Sequence, residues 1–403
     1  MDNQRERSIF VPKRAIMKHI LFILSRFLDG GIDIVLVDYL RQLAQCPDYQ
    51  IGLAVSTKMD ELEVFSDIVP RNVSVYHLVE SKYLTRWRKQ KIVSKLPLMA
   101  KIYDELLLSP IRRYLIKKGL NELARKYDIL IDFDCCHYAY LKSIPKKKIA
   151  WYHFSFKHLM EQNPRRTTRI GKYLTYYDHI VVISKAMKEE GEELFPWLDG
   201  KWKLIYNAKD KLLLEQRANE AIDDPRIHQS YILAVERLEE SQKDTSTLLQ
   251  AYKILKETYH QSEKLFILGK GRDKDMLQQL AVELGITENV VFLGFTANPY
   301  PWIKHAKMIA HSAKMEGLPT AMIESLILGK LIVATDCPTG PREILDDGKA
   351  GLLVPVGDAR AMAEAIHQLL SDKQLQQHIH HQAEKHQQEF LFKSTLKHFN
   401  ELI

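Results

Sequence analysis

The feature that most constrains this chain is an alternation that runs through it twice. Short apolar runs rich in branched residues are separated by longer segments whose apolar residues recur at helical spacing. Residues 18–24 read as a first strand. Gly30-Gly31 follows, and then Ile32, Val35, Leu36, Tyr39, Leu40 and Leu43 keep the helical period. Further strands are expected at 51–55, 73–77, 129–133, 148–152, 179–183 and 202–206. The pattern restarts at 231–235 and continues at 264–268, 290–293, 308–311, 331–335 and 351–354, with helices at 244–258, 273–284 and 320–328. Strands alternating with helices imply parallel sheets covered on both faces, an α/β fold. The 403 residues, at roughly 100–200 per domain, suit two such doubly wound domains. The expected division is an N-terminal extension (1–17), a first domain (18–207), a polar linker containing Pro225 (208–229), a second domain (230–385) and a C-terminal helix (386–403).

Several classes drop out. No run approaches the roughly 18 apolar residues a spanning helix needs; the best, 20–28, is cut by Ser25 and Arg26. The first 19 residues are polar and basic, without the pattern of a secretory leader. The expectation is a cytoplasmic chain, peripheral at most on the cytoplasmic face of the inner membrane. Cys46, Cys135, Cys136 and Cys337 have no CxxC spacing and read as reduced thiols. Cys135, Cys136 and His137 adjoin, but the second half of a zinc site is missing. His378, His380, His381 and His386 read as a solvated helix face. Charge is uneven. Of 58 Lys and Arg and 51 Asp and Glu in all, residues 82–148 hold 17 basic and 6 acidic residues. That stretch suits either a solvated helical surface or an anionic partner. No nucleic-acid-binding signature accompanies it.

Ligands of doubly wound sheets bind at the carboxyl ends of the strands, so chemistry belongs in the loops that follow them. The strongest candidate is the stretch from Met315 to Arg342. Glu316 and Glu324 are eight apart, and Gly317-Leu318-Pro319 leads into a helix that Thr320 is placed to cap. Helical side chains lean toward the N-terminus, so both carboxylates are expected to converge at the helix start. The amide N–H groups there favour an anion. Carboxylates beside such amides make sense when they accept from hydroxyls while the amides hold phosphate. That combination describes a nucleotide sugar.

The segment resembles the retaining glycosyltransferases with two Rossmann-like domains facing across a cleft, the GT-B architecture, specifically glycosyltransferase family 4. The E-x7-E phrase EGLPTAMIE, the loop TDCPTGPREIL and the phrase DGKAGLLVP carry the likeness. The resemblance implies that Glu316 contacts the donor sugar, Glu324 the ribose hydroxyls, and Gly317, Leu318, Pro319 and Thr320 the sugar and phosphate. Arg237 and Lys243 match the family's R-x5-K, whose cations lie on the diphosphate; Glu236 stands where that family usually has glycine. Gly30 and Gly31 match its glycine turn. Trp151-Tyr152-His153 is similar to its W-x-H, whose histidine reaches the reacting sugar. Ser184 matches a further phrase and reads first as a helix cap. The implied reaction moves a sugar from a nucleoside diphosphate sugar, most often a UDP-sugar, to a glycan or lipid-linked acceptor with retention. No essential metal or other cofactor is expected. Lys82 to Lys148 is then expected to face an anionic membrane. The implied setting is bacterial surface polysaccharide or lipopolysaccharide synthesis.

Two motifs point elsewhere. Asp132-Phe133-Asp134 spells the DxD that holds a metal in the other large glycosyltransferase fold, but here it ends a strand of a doubly wound domain. Gly269-Lys270-Gly271 opens a dinucleotide fingerprint whose third glycine is replaced by Lys274. The alternatives of another class are a sugar-nucleotide epimerase of similar shape and a binding subunit that has lost the chemistry.

Overall fold

The computed structural model describes residues 17–28 and 30–403. The first sheet contains β1 (Lys18–Leu24), β2 (Tyr49–Val55), β3 (Ser74–His77), β4 (Ile129–Asp132), β5 (Lys147–Tyr152), β6 (His179–Val182) and β7 (Trp202–Leu204). Their spatial order is β3-β2-β1-β4-β5-β6-β7, all parallel. The second contains β8 (Tyr231–Val235), β9 (Lys264–Leu268), β10 (Val290–Gly294), β11 (Met308–His311), β12 (Leu331–Thr335) and β13 (Leu352–Val354). Their order is β10-β9-β8-β11-β12-β13, again all parallel. Helices cover both faces, which is why the central strands read as unbroken apolar runs: Ile20 to Leu24 and Leu331 to Thr335 are buried throughout.

Strand order reverses between β1 and β4, and again between β8 and β11. Each reversal opens a crevice at the carboxyl edge of a sheet. Ile20 fixes the first register, lying opposite Ile51 on one side and Ile129 on the other.

Two expectations meet a different outcome. Most of the 1–17 extension, and Asp29, lie outside the described residues. The stretch read as a linker is not merely polar chain. It forms the helix Lys211–Ala218, and Lys209 just before it is buried. The C-terminal helix expected at 386–403 begins at Phe392, and two breaks precede it. Asp372 ends the helix Ala359–Ser371 and caps Lys373–His386 by accepting from the amides of Gln374 and Leu375. The last helix, Phe392–Leu402, then returns to the first sheet. There Phe399 packs against Tyr39 and Trp151, and the Tyr49 hydroxyl donates to Asn400. The return is tied to the outgoing strand by Lys209 N–H donating to the Phe390 carbonyl (2.9 Å) and Phe392 N–H donating to the Lys209 carbonyl (3.1 Å). His378, His380 and His381 are exposed, while His386 donates to the Glu343 carbonyl at 2.8 Å. Among the described residues, no helix is long and apolar enough to cross a membrane.

Candidate functional site

A cavity of about 230 Å³ lies where the two crevices meet. Gly30, Gly31 and Ile34 line it from the first sheet; Arg237, Tyr300, Thr320 and Glu324 line it from the second. A larger cavity of about 480 Å³, between Lys211, Lys304, Gly329 and His380, holds none of the residues named above for chemistry.

Gly30 precedes the helix Gly31–Leu43, and its N–H donates to Asp33 at 2.9 Å. A side chain at Gly30 would put its Cβ 3.5 Å from the Arg237 guanidinium. The first-domain turn and the second-domain cation therefore face each other directly. Arg237 itself is exposed to the cleft, just past β8.

Lys243 and Glu316 are both buried and form an ion pair. His311, the last residue of β11, donates from Nε2 to the same carboxylate oxygen at 3.1 Å. Burial pushes the Glu316 carboxyl up, but Lys243 and His311 outweigh it and hold it down at about 2. Burial, together with Lys243, pushes His311 below its ordinary value. Glu316 is thus a fixed carboxylate, able only to accept hydrogen bonds.

Glu324 is also buried, but in a second network. Lys209 Nζ lies 2.6 Å from its carboxylate and 2.7 Å from that of Asp38, which belongs to the helix Gly31–Leu43. The Tyr300 hydroxyl donates to Glu324 at 3.3 Å. Burial lowers the Lys209 pKa, and the two carboxylates more than reverse this, leaving it raised. Each of the two carboxylates thus enters its own ion pair, Glu316 with Lys243 and Glu324 with Lys209. Lys243, expected on the diphosphate, forms its ion pair with Glu316. Thr320 is not the cap. Pro319 holds the cap position with no side-chain bond, and Thr320 is the first residue of the helix Thr320–Ile327.

At Gly317 the second domain packs closely against the first. A Cβ there would sit 2.3 Å from the backbone oxygen of His153. Only glycine permits that approach. Leu318 is buried, and its carbonyl accepts from Asn207 at 3.2 Å. Gly340, at φ +85°, packs over Pro319 and the Gly317 carbonyl. Glu343, from the same loop, accepts the Lys185 N–H at 2.8 Å and the Tyr206 hydroxyl. Ser184 caps the helix Lys185–Leu194 by accepting from Met187.

His153 follows β5, and its Nε2 donates to the Phe133 carbonyl at 2.8 Å. A carbonyl only accepts, so the proton is on Nε2 and Nδ1 carries the lone pair. Burial, only partly offset by that bond, pushes its pKa down to about 4, so the ring is neutral at physiological pH. Asp132, Asp134 and His137 form a cluster with ligand atoms within 4.8 Å of one another. His137 Nδ1 lies 2.8 Å from Asp132 and 3.4 Å from Asp134, and its Nε2 bonds Ser56 at 2.7 Å. Burial opposes charge on His137, yet the two carboxylates raise its pKa to about 10. The His137 imidazolium is paired with both carboxylates, and Tyr177 donates to Asp132 as well. The cluster braces the loop that carries the Phe133 carbonyl, and so holds His153 in place.

Sequence reasoning missed Lys209, Asp38, Tyr300 and His311. His311 carried a signal, standing at a strand's carboxyl end five residues before Glu316. Lys209 and Asp38 carried none, since each looks like an ordinary surface charge until two distant segments meet.

Residues 216–386 match the family model of the glycosyl transferases group 1. The N-acetylgalactosamine-N,N'-diacetylbacillosaminyl-diphospho-undecaprenol 4-alpha-N-acetylgalactosaminyltransferase of Campylobacter jejuni is 35% identical over 198 residues, 49% of this chain and 52% of its own. The match thus spans about half the length of that relative. An uncharacterized glycosyltransferase of Methanocaldococcus jannaschii is 32% identical over 294 residues, 66% of this chain and 71% of its own. Among solved structures, Anabaena HepE in complex with UDP and glucose superposes with a TM-score of 0.71 at 17% identity, covering 95% of this chain and 98% of that one. A variant of S. aureus TarM in complex with fondaparinux, alpha-GlcNAc-glycerol and UDP reaches 0.74 at 14% identity, covering 96% and 99%. At such identities these two share the fold of this chain: two Rossmann-like domains in the GT-B arrangement.

Proposed function

The chain belongs to the glycosyl transferases of group 1, and from that premise we propose that it moves a sugar from a UDP-sugar to a glycan or lipid-linked acceptor, with retention at the anomeric carbon. The observation that carries this reading is the cleft itself. A glycine turn from one domain faces an exposed arginine, a helix start and a buried carboxylate from the other.

The residues suit a front-face reaction of the family 4 kind. As the bond from the anomeric carbon to the diphosphate breaks, negative charge gathers on the leaving phosphate. Arg237 and the amides at the start of the helix Thr320–Ile327 stabilise that charge. Lys243 joins them by exchanging part of its contact with Glu316. Glu316 is a weak base, held down by Lys243 and His311; it accepts donor hydroxyls and is poorly suited to attack carbon. The acceptor proton passes to the departing phosphate. His153, neutral and with Nδ1 as its acceptor nitrogen, orients a sugar hydroxyl. Glu324, steadied by Lys209, accepts from the ribose. The charge is supplied by these side chains, and no metal is assigned to the step.

The acceptor reading draws on the Campylobacter relative, whose name specifies a diphospho-undecaprenol substrate, and on the basic stretch Lys82 to Lys148. Such an acceptor places the work in surface polysaccharide or lipopolysaccharide synthesis, on the cytoplasmic face of the inner membrane.

Titration calorimetry with UDP in EDTA tests the donor site. UDP is expected to bind, and Arg237→Ala to weaken it about 10- to 100-fold, the loss of a charged hydrogen bond. Absence of UDP binding, or binding that EDTA abolishes, overturns the reading.

A further inference from the structure

The helical stretch between β3 and β4 carries a surface that the donor site does not use. The helix Leu98–Tyr103 runs through a π-turn, Asp104–Leu108, into the helix Ser109–Leu123, with helical backbone at both joins. Its exposed apolar residues recur as doublets every fourth position: Leu98-Met99, Ile102-Tyr103, Leu106-Leu107, Pro110-Ile111, then Tyr114. Leu98 is 70% exposed, Met99 75%, Leu106 69% and Tyr114 66%. The opposite face is buried through Leu108, Arg112, Ile116 and Leu120.

A repeat of four on an α-helix drifts about 40° per step, so it would spiral away from any single face. The π-turn takes up an extra residue halfway along and cancels much of that drift. The doublets therefore form one ridge. Arg112 locks the π-turn, binding the Asp104 carboxylate (2.6 Å) and the Leu84 carbonyl (2.8 Å). The Tyr103 hydroxyl bonds that of Tyr83 on the preceding helix, Lys82–Val93. A rigid, exposed apolar ridge of this kind marks an interaction site.

Charge selects the partner. Between residues 95 and 118, Lys95, Lys101, Arg113, Lys117 and Lys118 are exposed, against a single exposed acid, Glu105. Apolar side chains between cations fit a surface with anionic headgroups over an apolar interior. The preceding helix stands by the carboxyl edge of the first sheet, since Arg88 lies within electrostatic reach of Arg26 and Tyr140, which follow β1 and β4. The ridge is thus joined, through the Tyr83–Tyr103 and Arg112–Leu84 bonds, to a helix at the carboxyl edge of the first sheet.

We propose that the ridge from Leu98 to Tyr114 inserts into the interface of an anionic bilayer and seats the cleft mouth on the membrane that carries the acceptor. This deepens the lipid-linked acceptor reading and rests on it for its purpose. Insertion goes beyond attraction of a basic patch: it requires the leucines, and it survives salt that screens the charges.

Co-sedimentation with phosphatidylcholine vesicles, with and without phosphatidylglycerol, tests it. The full chain is expected to pellet with the anionic vesicles and to remain partly bound in high salt. Leu106→Glu with Leu107→Glu should weaken binding on the order of tenfold or more, since each buried leucine contributes substantially. Both positions are exposed, so folding is preserved, and unchanged UDP binding of the variant verifies this. Binding that high salt abolishes, or that the double variant leaves unchanged, overturns insertion. So does a chain that ignores vesicles and forms a dimer, by light scattering, that the double variant dissociates; the ridge would then join two copies. A chain that binds vesicles but no UDP would refute the donor site and leave this proposal standing.

Discussion

Replacing Glu236 by glutamine should stabilise the protein at alkaline pH and do little at acid pH. Glu236 is buried directly after β8. Its Oε1 accepts from the Thr245 hydroxyl at 2.6 Å, while its Oε2 is buried without a hydrogen-bond partner. Burial raises its pKa from the ordinary 4.5 to about 7, against the pull of Lys243 and Thr245. The sign follows from linkage. The folded state holds a proton that the unfolded state has released, so stability falls as pH rises from 4.5 to 7 and is level above. That rise corresponds to a penalty of about 3 kcal/mol once the group is fully ionised. Glutamine keeps the shape and the bond from Thr245 and carries no charge. Calorimetric melts at pH 5 and pH 8 measure the difference. At 2–4 °C per kcal/mol for a domain of this size, Glu236→Gln should melt about 6–12 °C above the parent at pH 8 and only slightly above it at pH 5. An equal shift at both values, or a loss at pH 8, refutes the reasoning.

The other predictions concern the contacts between the domains. Lys209→Met leaves the buried Glu324 carboxylate and the half-buried Asp38 carboxylate without their cation, which should cost about 3–5 kcal/mol in thermal or urea unfolding. The raised Lys209 pKa keeps the parent's network intact up to strongly alkaline pH, whereas the unpaired carboxylates of the variant gain relief by taking up a proton as pH falls, so the cost should be larger at pH 9 than at pH 6; a cost below about 1 kcal/mol at pH 9 would show the triad to be dispensable. Gly317→Ala forces a methyl group against the His153 carbonyl, at about 1–3 kcal/mol of overpacking. Transfer should fall at least tenfold in kcat/KM, and undiminished transfer would mean that this contact is absent from the working conformation.

Much of the architecture was written in local pattern. Parallel strands buried on both faces must be apolar along their whole length, so β1, β8 and β12 could be read directly from the chain. Glu316, Arg237 and Gly317 were legible because their motifs lie in single loops after strands, where this fold puts its chemistry. Ser184 was legible as a cap for the same local reason. The partners of those residues were not. Lys243 sits six residues after Arg237, yet its ammonium goes to Glu316, because the segment around it pairs alongside the loop after β11. Glu324 is eight residues from Glu316, yet it is held by Lys209 and, through it, by Asp38. The ridge from Leu98 to Tyr114 looks like an ordinary amphipathic helix until the structure shows which side is buried.

The sequence by itself determined the two α/β domains and the loops that carry the chemistry, because hydrophobic period and turn residues act over a few positions. Only the tertiary structure decided which charges meet and which are left bare. Pairing energy depends on distance and on exclusion of water, and both are set by packing segments hundreds of residues apart.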